Sequence, residues 1–134
     1  MAFSDPGKGR VIEQGEGEVK ITLAEACKTG DILGYSSGWK RALATAGTAI
    51  QGRLIAGEDG ENGDEITAYR RAVTQGYSGG TAGNAVYVAE GTDYEKITET
   101  KPDTSSDCDT IIGYMVSATL ATLEPGSRAD STIA

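Results

Sequence analysis

Glu18-Val19-Lys20-Ile21-Thr22-Leu23 carries an apolar side chain at every second position. An extended strand turns successive side chains to opposite faces, so Val19, Ile21 and Leu23 would share one side and the polar residues the other. This is the pattern of a half-buried strand, and it sets the reading of the rest of the chain.

Short segments of similar character lie on the C-terminal side: Asp31 to Tyr35, Ile50 to Ala56, Glu65 to Val73, Ala85 to Ala89, Glu95 to Thr98, Ile111 to Ser117 and Leu120 to Leu123. Between them lie "SSGW", "AGEDGENGD" and "GYSGGTAGN", clusters of Gly, Asn, Asp and Ser that suit turns. Nineteen glycines spread along the chain would interrupt most helices of ordinary length. A turn or two of helix is expected only at Leu23 to Lys28, "LAEACK", closed by Gly30. The fold class predicted is all-β, a small single-domain barrel or sandwich of short strands.

Two segments share an Ile-x-Gly-x-apolar-apolar-small pattern, Ile50 to Ala56 and Ile111 to Ser117, and Ile32-Leu33-Gly34-Tyr35 is close to it. Glycine inside a strand marks a bulge, a bend or a close backbone crossing, each of which helps a small sheet curl. Gly30-Asp31, Gly63-Asp64 and Gly83-Asn84 each precede an apolar strand residue and read as turns.

The ends differ from the middle. Residues 1–17, "MAFSDPGKGRVIEQGEG", hold few apolar side chains and are expected to form a flexible N-terminal arm, free or ordered on a partner. Residues 18–125 would form the β domain, and 126–134 a polar, frayed tail.

The 134 residues are enough for one modest core without metal or disulfide staples. Twenty acidic against twelve basic residues give a net charge of −8, which disfavours nucleic acid and anionic membranes as partners. The uncharged stretch Thr110 to Leu123 is shorter than the roughly 20 apolar residues a membrane helix needs. Cys27 and Cys108 lack the close spacing of a zinc site or a redox pair; they could form one bridge. Reduced thiols and synthesis in the cytosol are the expectation, since "MAFSDPGKGR" lacks the apolar core of a secretory signal.

Chemistry is offered in few places. Gly76-Tyr77-Ser78-Gly79-Gly80 matches the Gly-x-Ser-x-Gly of a nucleophile elbow. A serine hydroxyl attacks only when a placed base takes its proton, and the chain has no histidine and no lysine flanking Ser78. The residues C-terminal to it, "GGTAGNAVYVAE", read as loop and then strand, so a glycine-rich connection is the better reading. The loop Glu58 to Glu65 gathers five carboxylates, oxygen chemistry that calcium favours, but Gly63 interrupts the spacing of an EF-hand loop and the acidity serves solvation. "DPGKGR" lacks the spacing of a phosphate-binding loop. Arg70 and Arg71 are adjacent in a strand and would point to opposite faces. Trp39 and the six tyrosines read first as sheet-packing residues, and as interface anchors where they stand at hairpin tips.

Taken in order, "GEVKITL", "KTGDILGYSSGWKRA", "IQGRLIAGEDGENGDEITAYRRAVTQG", "GGTAGNAVYVAEGTDYEKITETKP" and "TIIGYMVSATLATLEP" resemble the small head decoration, or cement, proteins of tailed bacteriophages. The likeness is one of pattern over about residues 18–125: Gly-Asp strand entries, an apolar-Gly-apolar strand ending in Ala, a G-x-x-V-Y strand before a Thr-rich hairpin, and a final apolar-Gly strand. It implies a non-enzymatic virion protein without cofactor or metal, bound to the major capsid protein on the outer surface of an icosahedral shell. Such proteins often sit as homotrimers at or near threefold positions and stabilise the mature shell. An acidic surface suits the outside of the shell, and an arm could add a strand to a capsid sheet edge. On this reading Phe3, Val11 and Ile12 of the arm contact the capsid, and Ile111, Tyr114, Met115, Leu120 and Leu123 form the oligomer interface or the core. The long charged N-terminus and the two cysteines depart from the pattern. The alternatives are a fibre-base or adhesin-type surface module, for which stalk repeats are missing, and a small β-barrel hydrolase working with carboxylates alone.

Overall fold

A computed structural model describes residues 3–90 and 96–134. Among these residues the chain forms nine strands and no helix: β1 (Val11–Thr22), β2 (Ile32–Tyr35), β3 (Trp39–Arg41), β4 (Leu54–Ala56), β5 (Glu65–Gln75), β6 (Ala85–Val88), β7 (Ile97–Thr98), β8 (Ile111–Met115) and β9 (Leu120–Leu123). Every pairing between them is antiparallel. The strands form one curled sheet, a half-barrel, in the order β3-β2-β4-β5-β9-β8-β6-β7, with β1 beside β5.

β5 is the spine of this sheet. One of its edges pairs with β1 from Val11↔Gln75 to Thr22↔Glu65. Its other edge is divided: Ala68 and Tyr69 pair with β4, while Ala72 to Gln75 pair with β9. The sheet curls where the partner changes.

Burial follows the period of two that the sequence shows. On one side Ile32, Ile55, Val86, Ile112, Met115 and Leu123 pack into a first core. On the other, Ile21, Leu23, Leu33, Leu54, Ile66 and Ala68 form a second. Ile32 and Leu33 are neighbours in sequence yet belong to different cores, as do Leu54 and Ile55. β4 is therefore buried on both faces, which explains its continuous apolar run Leu54-Ile55-Ala56. Each fully buried Ile or Leu contributes about 1.5–3 kcal/mol of transfer free energy.

The glycines shared by the repeated patterns sit at close crossings. A Cβ on Gly113 of β8 would collide with the Thr122 carbonyl of β9, and one on Gly34 of β2 with the Gln51 carbonyl. The segment 50–56 is a strand only over Leu54–Ala56, although Ile50 pairs singly with Leu43. β8 ends at Met115, and of the expected strand Glu95 to Thr98, Glu95 lies outside the described residues. Leu23 to Lys28 is not helical. Leu23 bridges to Trp39 and Cys27 to Gly60, so tertiary pairing takes the backbone groups a helix would have used.

The structure draws both ends differently from the sequence reading. Residues 11–17, expected in a flexible arm, are the first half of β1, and the described residues before them are tied down as well, while Met1 and Ala2 of that arm lie outside the described residues. Ser4 exchanges backbone hydrogen bonds of 2.9 and 3.1 Å with Ser78, and the Phe3 ring lies 5.9 Å from that of Tyr77. Below them Arg10 is wholly buried between Asp5, whose Oδ2 is 3.3 Å from Nη1, and Asp31, to which Nη2 donates. Asp5 also accepts the amides of Gly7 at 2.9 Å and Ile97 at 3.0 Å, and Asp31 accepts that of Lys28 at 2.8 Å. Burial opposes the charge on Arg10, but the two carboxylates outweigh it and raise the guanidinium pKa further.

The polar tail is likewise fastened. Asp109 and Ser106 donate amides to Ser131 and Ile133 at 3.1 and 2.7 Å, and Arg53 holds Asp130 through two 2.7 Å hydrogen bonds.

Candidate interaction surface

The alternation that fills the first core sends the intervening side chains of the same strands outward. Across β1, β5, β9 and β8, the row Ile12, Thr74, Ala121 and Met115 faces inward. The next row is Val11, Gln75 and Leu120, with Val116 joined to Leu120 by a 2.7 Å backbone hydrogen bond. A further outward row runs Gln14, Val73, Thr122, Tyr114 and Ala85, and Tyr87 pairs beside it with Ile111 and Thr98. Directly opposed residues in antiparallel strands share a face, so these rows form one surface.

That surface is uncharged, rich in apolar side chains and exposed. Val11 and Tyr114 each keep 52% of their area in solvent and Val116 keeps 46%, while Val73, Tyr87, Ile111 and Leu120 are half-buried. None of the residues in the two outward rows carries a charge, in a chain with a net charge of −8. The exposed Glu13 stands at the β1 bulge between Val11 and Gln14, and further charge lies at the border, where Arg71 meets Glu16 at 2.8 Å and Glu124 at 3.8 Å. These ion pairs are half-exposed and worth little to stability. They leave Arg71 beside acidic neighbours, and the Arg70 side chain occupies the space a Cβ would take on Gly17, whose φ is +69°.

The residues singled out from sequence are divided by this geometry. Met115 and Leu123 are fully buried in the first core. Ile111, Tyr114 and Leu120 face outward from the same two strands. Of the N-terminal residues, Phe3 and Ile12 pack against the first core, and Val11 stands on the outward face beside Leu120. Val73, Tyr87 and Val116 belong to the face and were not singled out from sequence. Their alternation with buried neighbours was visible, but which side met solvent was not.

A second aromatic pair stands at the β2–β3 hairpin. Tyr35 is 65% exposed and meets Trp39 edge to face at 5.4 Å, with Trp39 itself packed on the second core.

The sites with chemical resemblance serve the fold. Ser78 is exposed, is bridged through its backbone to Ser4, and is not followed by a helix. In the acidic loop, Asp59 accepts the Thr29 amide at 2.8 Å and hydroxyl at 3.1 Å, interactions that hold its carboxyl below the usual range. Glu58 accepts the Thr67 amide and Asp64 that of Glu61, at 2.8 and 2.9 Å. Among the described residues no group of three or more acidic, cysteine or histidine side chains is placed to hold a metal. Cys27 and Cys108 are unbridged and buried, and burial is the main cause that pushes their thiols up to about 12 and about 11. Both are poor nucleophiles in the folded state.

Among the described residues no helix is long and apolar enough to cross a membrane. Comparison with known proteins finds no family model that matches the chain, no curated protein similar in sequence and no solved structure similar in fold.

Proposed function

We propose that this chain is a non-enzymatic structural protein of a phage head, which assembles as a trimer and binds the major capsid protein on the outside of the shell. The observation that carries the reading is the uncharged, aromatic-bearing sheet face on an otherwise acidic protein. Two copies that each carry −8 repel at long range, so a self-contact is best made where no like charges are brought together, and the rows through Val11 and Tyr114 carry none. The resemblance to decoration proteins supplies the shell as partner. Its mechanism would be linkage: a protein that binds only the mature lattice stabilises it by mass action, and a trimer gains from several joined contacts.

Light scattering should give three times the chain mass. Tyr114→Asp should reduce it to one while changing stability by no more than about 1 kcal/mol, because the residue stands outside the core. The trimer should co-sediment saturably with undecorated phage heads. A trimer that ignores heads and instead adheres to cells would favour the surface-module alternative, and a monomeric wild type would remove the role given to the face.

A further inference from the structure

Glu61-Asn62-Gly63-Asp64 is the turn of the acidic loop that leads into β5. The Asp64 amide donates to the Glu61 carbonyl at 3.0 Å, and Gly63 has a φ of +94° while that of Asn62 is not positive, which makes the turn type II. Both central residues are exposed, and a Cβ built on Gly63 would meet nothing within 4 Å. Glycine puts no side chain beside its own nitrogen, so an asparagine followed by glycine is the pair whose side-chain amide is lost most readily. The loss is a ring closure. The Gly63 nitrogen bonds to the Asn62 Cγ, its proton passes to solvent, the Cγ–Nδ2 bond breaks and ammonia leaves. Water then opens the succinimide at either carbonyl, giving aspartate or isoaspartate.

We propose that Asn62 is a deamidation site of this chain and that the fold holds the reaction back until the loop opens. The attacking nitrogen is already committed, since the Gly63 amide donates to the carbonyl of Leu23, just beyond the end of β1, at 2.8 Å. A type II turn also sets ψ of its first central residue at about +120°, which keeps the next nitrogen out of the plane in which the five-membered ring closes. The turn is fixed from both sides. The Asp64 carboxylate accepts the Glu61 amide at 2.9 Å, and the Asp64 carbonyl accepts the Leu23 amide at 2.8 Å. Ring closure therefore proceeds from a state in which the loop has parted from Leu23.

The chain's other asparagine differs. Asn84 precedes Ala85, the first residue of β6, which carries the Cβ that Gly63 lacks. Asp59-Gly60 in the same loop closes the same ring only by losing water, so its product regains the original mass, and its Gly60 amide is committed to the Cys27 carbonyl at 3.1 Å. At Asn62 the change adds a carboxylate to a loop that already holds five, and the isoaspartate form lengthens the four-residue turn by one backbone bond. It is irreversible, so it marks the copies whose loop has spent longest open. Asn62 belongs to neither outward row, and the inference stands apart from the capsid reading.

Peptide mass mapping of the full chain, aged at mildly alkaline pH either folded or in guanidinium chloride, tests it. In denaturant Asn62 should convert from amide to acid well ahead of Asn84, and in the folded protein its rate should fall by at least about tenfold. Asp64→Ala, at an exposed position, removes the acceptor of the Glu61 amide. It should bring the folded rate at least about threefold closer to the rate of the same variant in denaturant. Equal rates in the folded and unfolded wild type, no conversion of Asn62 in denaturant, or a ratio of the two rates that Asp64→Ala leaves unchanged would overturn the proposal.

Discussion

Arg10 and Asp107 both bury charge, and the fold compensates them by different means. Around Arg10 a guanidinium stands between Asp5 and Asp31, all three side chains almost wholly out of solvent. At Asp107 one carboxylate oxygen is buried with no hydrogen-bond partner among the described residues, and the group whose carboxyl Asp107 raises is Glu90. The first arrangement carries its compensation covalently, in a group that stays charged at any ordinary pH. The second borrows a proton from solvent. Carboxylates of similar burial therefore need not respond alike to acid: one centre is permanent and the other conditional.

Removing the permanent centre should give the largest effect. Arg10→Met leaves Asp5 and Asp31 buried without their cation, and urea unfolding should show a loss of about 3–5 kcal/mol. Set against a typical total of about 5–15 kcal/mol, that would leave much of the protein unfolded at physiological temperature. A loss below about 1 kcal/mol would mean that water reaches the pair and that the two centres are not distinct in kind.

The conditional centre should show itself in the pH dependence of stability. Glu90 has a folded pKa of about 7, above its ordinary 4.5, so between these values the folded state holds a proton that the unfolded chain has released. Stability from this group is complete below about 4.5 and is lost as pH rises through about 7. Asp59 and Asp130 are depressed, the first by the Thr29 amide and the second by Arg53, and their contribution is lost as pH falls below 3.8. The urea midpoint should accordingly decline from about pH 5 to pH 8 in the wild type, and less steeply in Glu90→Gln. Equal slopes in the two proteins would deny the conditional centre its role.

A smaller effect would sharpen the contrast further. Burial is the main cause that pushes both thiols up, Cys27 to about 12 and Cys108 to about 11. With a thiol reagent at about pH 8, Cys108 should therefore be labelled faster than Cys27, and equal rates would mean that burial does not set their reactivity. Smallest of all is Ser78→Ala, which touches neither centre. It should alter stability by no more than about 0.5 kcal/mol in urea unfolding.

Much of the sheet was legible because alternating burial leaves alternating letters. Val19, Ile21 and Leu23 announced the end of β1, and Ile112, Met115, Ala121 and Leu123 the inward side of β8 and β9. The first half of β1 was hidden for a physical reason. From Glu13 to Glu16 the side chains of β1 are exposed on both faces, so hydrophobicity has nothing to alternate, and backbone pairing with β5 makes the strand. Arg10 looked like one more charge in a polar arm because only Asp5 is near it in sequence, while Asp31 comes from another loop and Asp5 is itself fixed by reaching across to the Ile97 amide. The outward face was half legible: Tyr114 and Leu120 could be picked from an uncharged segment, yet only the fold placed Val11 and Val73 with them.

The divided edge of β5 has a consequence for how the protein is made. One whole edge of β5 and the Ala68–Tyr69 half of the other pair with strands that precede it, but Ala72 to Gln75 find their second partner only in Leu120–Leu123, so that half-edge stays open until β9 has been made. The N-terminal part of the sheet can pair as it emerges, but the curl closes only when β9 reaches back across the intervening strands. That long-range closure places the protein among those that fold in about milliseconds to seconds, with half an edge of the central strand open to other chains meanwhile.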